Sequence, residues 1–500
     1  MKLSINILAN LIGRIWVAGI GIILVPQYIK FLGIESYGLV GFYATLIGSM
    51  SLLDLGLSAT LNRELTKARV ENKDPASTRN LVFTLECIYW SIGLLIAICT
   101  VLLAPIIATH WIKAANLSTK TVEHALMLMG AVVAFQWPIS LYNGGMTGLE
   151  RQVTDNAIMV TMTTVRSGGV ILLLWLVSPT IQMFFIWQAV VSFLYVFAMR
   201  TGLWYYLPKS VVKPKFSKEQ LKLIWRFAAG MTSISIVTFF LMQIDKIVLS
   251  KILPLTQFAY YTLAFIVASG IGTIVSPITA AFFPRLTALV TAKNQQGLVE
   301  FYHRSCKIIA AVVFPIGFIL IFFAKDILLI WTKNPVTVKH TVTMVQILVA
   351  GSVVNSLMIM PYYLLLANSQ TRFTFIQNLI SAIIMVPLLF WWVQLYGAIG
   401  GTFVWVTVNT GCLLISIPLI HKKLLTGELT NWYIKDTLLP LLPPLISIIT
   451  IKFILLNYLG GISPNFMGLV IMTLLVYFVS LSFIPEVGFL IKASKIINKL

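Results

Sequence analysis

Five ionisable side chains stand in or at the ends of long apolar runs: Arg14, Asp54, Glu86, Arg166 and Asp245. Asp54 is flanked by leucines in SLLDLGLSATLNRELTKAR (51–69), a stretch that turns basic as soon as it turns polar. A charge held at mid-bilayer costs about 2.5–3.5 kcal/mol on insertion scales, so each needs a partner, water or a role. Helix rise sets their depth: counted from the run ends, Arg14 and Asp54 lie about 12 Å in and Glu86 about 9 Å. A base and two acids at one level admit two chemistries. In the first, a cation-coupled site, one acid pairs with Arg14 while the other, crowded by a like charge and stripped of water, exchanges a proton. In the second, Arg14 and a carboxylate form a static pair, and Glu86 reaches the interface. On either, Arg14 is the expected partner of Asp54.

Arg166 is deeper, about 20 Å from the start of its run at Val153. Gly168 and Gly169 beside it leave room for another backbone or for a ligand. A guanidinium matches phosphate or carboxylate oxygens two at a time, which suits a diphosphate or an acidic sugar. The other use of a deep arginine is to satisfy carbonyls freed at a kink. Asp245, next to Lys246 near the end of its run, is a third ion-coupling candidate, against simple capping and snorkelling. Arg63, Arg151 and Arg285 stand at the mouths of runs, as topology anchors or as collectors of an anionic headgroup.

No catalytic centre is legible. The chain has no Walker A sequence, no GxSxG and no HExxH, and five histidines in all. Its four cysteines show no CxxC and no Cys/His cluster, so neither a metal nor a cofactor is expected.

The elements that must hold these charges follow from composition. The chain has 500 residues, 58% hydrophobic and only 10% charged, with mean hydropathy +0.92. A soluble protein carries about 25% charged residues. This is an all-α polytopic membrane protein with about 14 windows long enough to span a bilayer. The spans are expected near 6–30, 36–62, 80–108, 122–147, 153–177, 180–203, 223–250, 257–283, 305–332, 338–366, 373–394, 398–420, 437–457 and 465–490. The net charge of +20 is then a topology signal and a contact for membrane lipid, with no nucleic acid implied. With the N-terminus in the cytoplasm, about 25 Lys and Arg fall on the cytoplasmic side and about 9 outside, which places both termini in the cytoplasm. The Lys- and Pro-rich segment 205–222 divides the chain. LGIESYGLV (32–40) and LPLTQFAYY (253–261), each opening a span, are a faint internal repeat. The expected organisation is an N-terminal lobe over 1–204, a cytoplasmic linker over 205–222, a C-terminal lobe over 223–420, and two further helices over 421–500.

FLGIESYGLVGFYATLIGSMSLLDLGLSATLNRELTK (31–67) resembles the first-lobe signature of bacterial polysaccharide-repeat flippases, of the O-antigen type. QIDKIVLSKILPLTQFAYYTLA (243–264) and GGMTGLERQVTDNAI (144–158) are similar to two further segments of that family. It belongs to the multidrug/oligosaccharidyl-lipid/polysaccharide exporter superfamily. The resemblance implies two six-helix lobes in a V around a central cavity, working by alternating access. It implies transfer of an undecaprenyl-diphosphate-linked oligosaccharide across the bacterial inner membrane, with proton or sodium coupling. A polysaccharide polymerase and a chain-length regulator are the partners expected. The competing readings are a lipid II flippase, a multidrug antiporter of the same superfamily and, more remotely, a membrane-embedded polysaccharide enzyme.

Overall fold

The computed structural model describes residues 2–54, 56–71, 74–220, 222, 243–457 and 464–482. Lipid offers no hydrogen bonds, so an apolar run must satisfy its own backbone, and these runs do so as helices. The one β pairing among the described residues is an isolated bridge between Lys113 and Pro254. Eleven helices there are long and apolar enough to cross a membrane, and Phe466–Leu481 is a shorter apolar helix. The expected span 223–250 falls largely outside the described residues.

The chain forms two compact units, Met1–Ala259 and Tyr260–Leu500. The first contains α1 (Lys2–Ile23), α2 (Val25–Leu32), α3 (Ile34–Leu53), α4 (Leu57–Val70) and α5 (Pro75–His110). It continues with α6 (Thr119–Gln136), α7 (Ile139–Gly148), α8 (Gln152–Leu176) and α9 (Ile181–Tyr206). Helical residues 243–252 (α10) follow the linker.

The expected continuous span 36–62 is instead two helices. Gly56 sits at φ 67°, the left-handed region, and the chain turns there before α4 starts. Glycine takes that conformation without a Cβ clash, and it places Asp54 at a break in the ladder and not in mid-helix. Polar caps fix other starts: the Asp74 carboxylate accepts from the amides of Ala76 and Ser77 at the head of α5, which is worth about 1 kcal/mol.

A core of Leu61, Leu65, Leu85, Tyr89, Tyr142 and Leu203 ties α4, α5, α7 and α9 together. Small residues bring α7 against α4. A Cβ on Gly144 would lie 2.5 Å from the Ser58 carbonyl oxygen, and one on Gly148 2.6 Å from that of Asn62. Packing that close is how helices associate where no hydrophobic effect drives them. At one end of this unit the Glu35 carboxylate accepts from the Asn116 backbone N–H and side-chain amide. Next to it Leu255 N–H donates to the Lys113 carbonyl at 2.8 Å.

The second unit holds most of α11 (Leu255–Thr291), then α12 (Gln295–Phe322), α13 (Ala324–Thr332), α14 (Pro335–Leu357) and α15 (Ile359–Ala367). It ends with α16 (Thr371–Tyr396), α17 (Ala398–Leu424), the short α18 (Leu429–Asn431), α19 (Leu439–Asn457) and α20 (Phe466–Ser482). Between α18 and α19 runs a π-helical turn, Trp432–Leu438. His303 of α12 is held there between Asp436 of the π turn and Glu428, the latter at 3.0 Å. Ile319, Phe323, Ile448, Leu469 and Val476 pack α12, α19 and α20 below it.

Candidate functional site

The polar side chains inside the first unit fall into four sets. Glu86, on α5, is buried at 4% exposure. The Arg200 Nε of α9 donates to its Oε1, and the guanidinium also reaches Oε2 at 3.4 Å. Tyr142 O–H donates to the same Oε1 at 2.7 Å and itself accepts from the Trp90 indole. This carboxylate is neutralised and fully hydrogen-bonded.

Asp54, half-buried at the α3/α4 break, accepts from Tyr89 O–H at 2.6 Å and Ser140 O–H at 2.9 Å, both on Oδ1. Tyr89 stacks on Trp137 with ring centroids 5.3 Å apart. Arg14 belongs to neither set. Its side chain is exposed on α1, so the expected Arg14–Asp54 partnership and the three-charge level with Glu86 do not form. Residue counting gives height along a helix but not the direction a side chain faces, and these three face different neighbours.

The third set surrounds Asp155 in the first turn of α8. It is buried at 4% exposure, and its Oδ2 accepts from the Asn143 side-chain amide at 2.9 Å. Oδ1 has no hydrogen-bond partner among the described residues. Sequence reading assigned it no role, because it stands only four residues into its helix, at the mouth of the run. The one available signal was the asparagine-rich setting, Asn143 and Asn156, of a segment that never becomes strongly charged.

Three turns up the same helix is Arg166, half-buried. Its charge acts on three phenols from three helices: Tyr28 of α2, Tyr43 of α3 and Tyr195 of α9. Tyr28 O–H donates to the Ser167 carbonyl at 3.0 Å, and Tyr43 accepts from the Gln136 amide at 2.7 Å. No hydrogen bond or ion pair among the described residues occupies the Arg166 guanidinium. Of the two glycines beside it, Gly169 is covered by the Trp187 indole, while Gly168 has no atom within 4 Å of where a Cβ would stand. The five N–H donors of the guanidinium are therefore uncommitted beside these phenols, and Gly168, two residues on, faces about 200° around α8 from it.

The remaining candidates lie apart. Asp245 is 4% exposed and pairs with Lys246 Nζ at 3.4 Å. Arg151 lies over the Tyr206 ring at 4.5 Å, and Arg63 and Arg285 are exposed. No group of three or more His, Cys, Asp or Glu able to hold a metal occurs among the described residues.

The fold is that of membrane transporters. It is similar to the lipid II flippase MurJ in an inward closed conformation, with TM-score 0.69 at 15% identity, covering 96% of this chain and 98% of that one. It is similar to an inward-facing multidrug resistance MATE family transporter of the MOP superfamily, with TM-score 0.63 at 16% identity, covering 86% and 98%. The model of the polysaccharide biosynthesis protein family matches residues 29–334, more than half of the sequence, and the chain belongs to that family. It is also 19% identical over 377 residues to a "Putative O-antigen transporter" of Shigella flexneri, over 75% of this chain and 87% of that protein.

Proposed function

We propose that this protein is a flippase that moves an undecaprenyl-diphosphate-linked oligosaccharide repeat unit from the cytoplasmic to the periplasmic leaflet of the bacterial inner membrane. It works by alternating access, with cation coupling, and is not an enzyme. The product passes to a polysaccharide polymerase and its chain-length regulator. The observation that carries this reading is Arg166, a guanidinium within a membrane helix whose donors are uncommitted, with the phenols of Tyr28, Tyr43 and Tyr195 within reach of its charge. Such a group binds a diphosphate or acidic sugar through paired hydrogen bonds, and tyrosines around it suit sugar hydroxyls. Membership of the polysaccharide biosynthesis protein family supports a glycan cargo.

Depleting the protein should leave the lipid-linked repeat unit on the cytoplasmic face and remove the surface polymer. Arg166→Ala should reproduce depletion at normal protein level, and Arg166→Lys should be partly active, since lysine keeps the charge but not the fork. Unimpaired export in depleted cells would remove this reading. Restored growth of cells lacking their own lipid II flippase would replace the proposed cargo with lipid II.

A further inference from the structure

Of the carboxylates inside the first unit, Glu86 is matched by Arg200, Asp54 accepts from two hydroxyls, Glu35 accepts from the Asn116 amides, and Glu64 and Asp245 pair with Lys67 and Lys246. Asp155 is the remaining case: buried to 4% exposure, with one neutral donor on Oδ2 and none on Oδ1. Among the described residues, the charged groups on the helices packed against α8 are engaged elsewhere or exposed. From α7 the facing groups are Asn143, and Tyr142, whose O–H is given to Glu86. From α9 they are Tyr195, whose phenol feels Asp155, and Arg200, which is paired with Glu86. Also on α9, Tyr205 is exposed and Tyr206 lies under Arg151. From α1, Asn10 bonds Asn156, and Arg14 is exposed. From α2, Tyr28 bonds Ser167, and Lys30 lies near the Phe31 ring. On α8 itself Arg166 is three turns away, and Arg151 at the N-cap, one turn away, is exposed and lies over the Tyr206 ring.

A carboxylate removed from water without a cationic partner persists only when a proton or a metal ion neutralises it. A metal ion would need several oxygen ligands. Here the side chain bonded to it, Asn143, presents an N–H, and a proton on Oδ1 replaces a bare buried charge with a neutral O–H, the smaller cost. We propose that Asp155 is a proton-binding residue of the transport cycle. The proposal rests on the cation-coupled reading above and names the cation and its residue. Asp155, Met159, Met162 and Arg166 follow the i, i+4, i+7, i+11 spacing of one helix face. Tyr195 lies within electrostatic reach of both ends of that stripe. Proton and anionic cargo thus occupy one wall of the first unit, where the charge of one is felt by the other.

The test is infrared difference spectroscopy between acid and alkaline pH on the full chain in lipid nanodiscs. A protonated-carboxyl band should appear in the wild type, vanish in Asp155→Asn and survive in Asp54→Asn. Asn143→Leu, which keeps the carboxyl but removes its donor, should retain the band at a shifted frequency. That variant carries the test if Asp155→Asn does not fold. In vesicles loaded with the lipid-linked glycan, Asp155→Asn should flip at the same rate with or without an imposed pH gradient, where the wild type responds. Persistence of the band in Asp155→Asn, or an unmoved band in Asn143→Leu, overturns the proton site. Loss of the band with the gradient response intact overturns its place in the cycle. Failure of the wild type to flip the glycan at all refutes the proposed cargo, while the spectroscopic outcome still decides the proton.

Discussion

Arg200 is the residue that makes Glu86 affordable inside the membrane, and its loss should show. A buried ion pair broken from one side costs about 3–5 kcal/mol when the abandoned charge stays buried. The Arg200 side chain is 43% exposed and Tyr142 stays in place, so Arg200→Ala is expected to cost about 2–3 kcal/mol of thermal stability in detergent. Glu86→Gln with Arg200→Ala should recover most of it, because the stranded charge is gone. No recovery in the double variant would mean the pair is not the source of the loss. Arg14→Ala, by contrast, should leave stability unchanged. At the same scale, Gly168→Val should keep both stability and flipping, because nothing lies within 4 Å of the added carbon and the position faces about 200° around α8 from Arg166. Impaired flipping in that variant would place the cargo on the other face of α8.

At the scale of elements, two junctions carry distinct consequences. The α4–α7 contact depends on absent side chains. Gly148→Val puts a Cβ 2.6 Å from a carbonyl oxygen, and overpacking of this sort costs about 1–3 kcal/mol, read as a lowered melting temperature. The other junction joins α12 to the π turn through His303, Asp436 and Glu428. Glu428 lies outside the membrane helices. The Asn431 amide, and after it His303, hold its carboxyl below the usual carboxylate range. A depressed acid stabilises the fold above its ordinary value, about 4.3, and that contribution is lost as pH falls through the depressed one. Wild type should therefore be more stable than Glu428→Gln at neutral pH, with the two melting curves converging in acid. A gap that is constant with pH would mean Glu428 contributes by packing and not by charge.

For the whole molecule the orientation is the first quantity to measure. In a background with the natural cysteines replaced by serine, Lys120→Cys and Lys339→Cys should react with an impermeant thiol reagent from the periplasm. Val211→Cys, fully exposed in the linker, should react only after the membrane is opened. Labelling of Val211→Cys in intact cells would reverse the orientation and, with it, the direction of transport proposed here.

Helical class, membrane location and family were all legible in the sequence, because they rest on composition and on local runs. Twenty apolar residues in lipid can only become a helix, and FLGIESYGLVGFYATLIGSMSLLDLGLSATLNRELTK carries its family likeness in consecutive residues. Arg166 was legible too, as a charge too deep to be an anchor. The partners of the charges were not. Whether Asp54 meets Arg14, or Tyr89 and Ser140, turns on the rotation of helices distant in sequence. The same is true of the pairing of Glu86 with Arg200, 114 residues away. That Asp155, near the mouth of its run, is buried follows only from the packing of α8 against its neighbours. Local sequence determines that a segment is a helix and how deep each residue lies. Only packing determines which face is turned inward, and so which carboxylate is left without a partner.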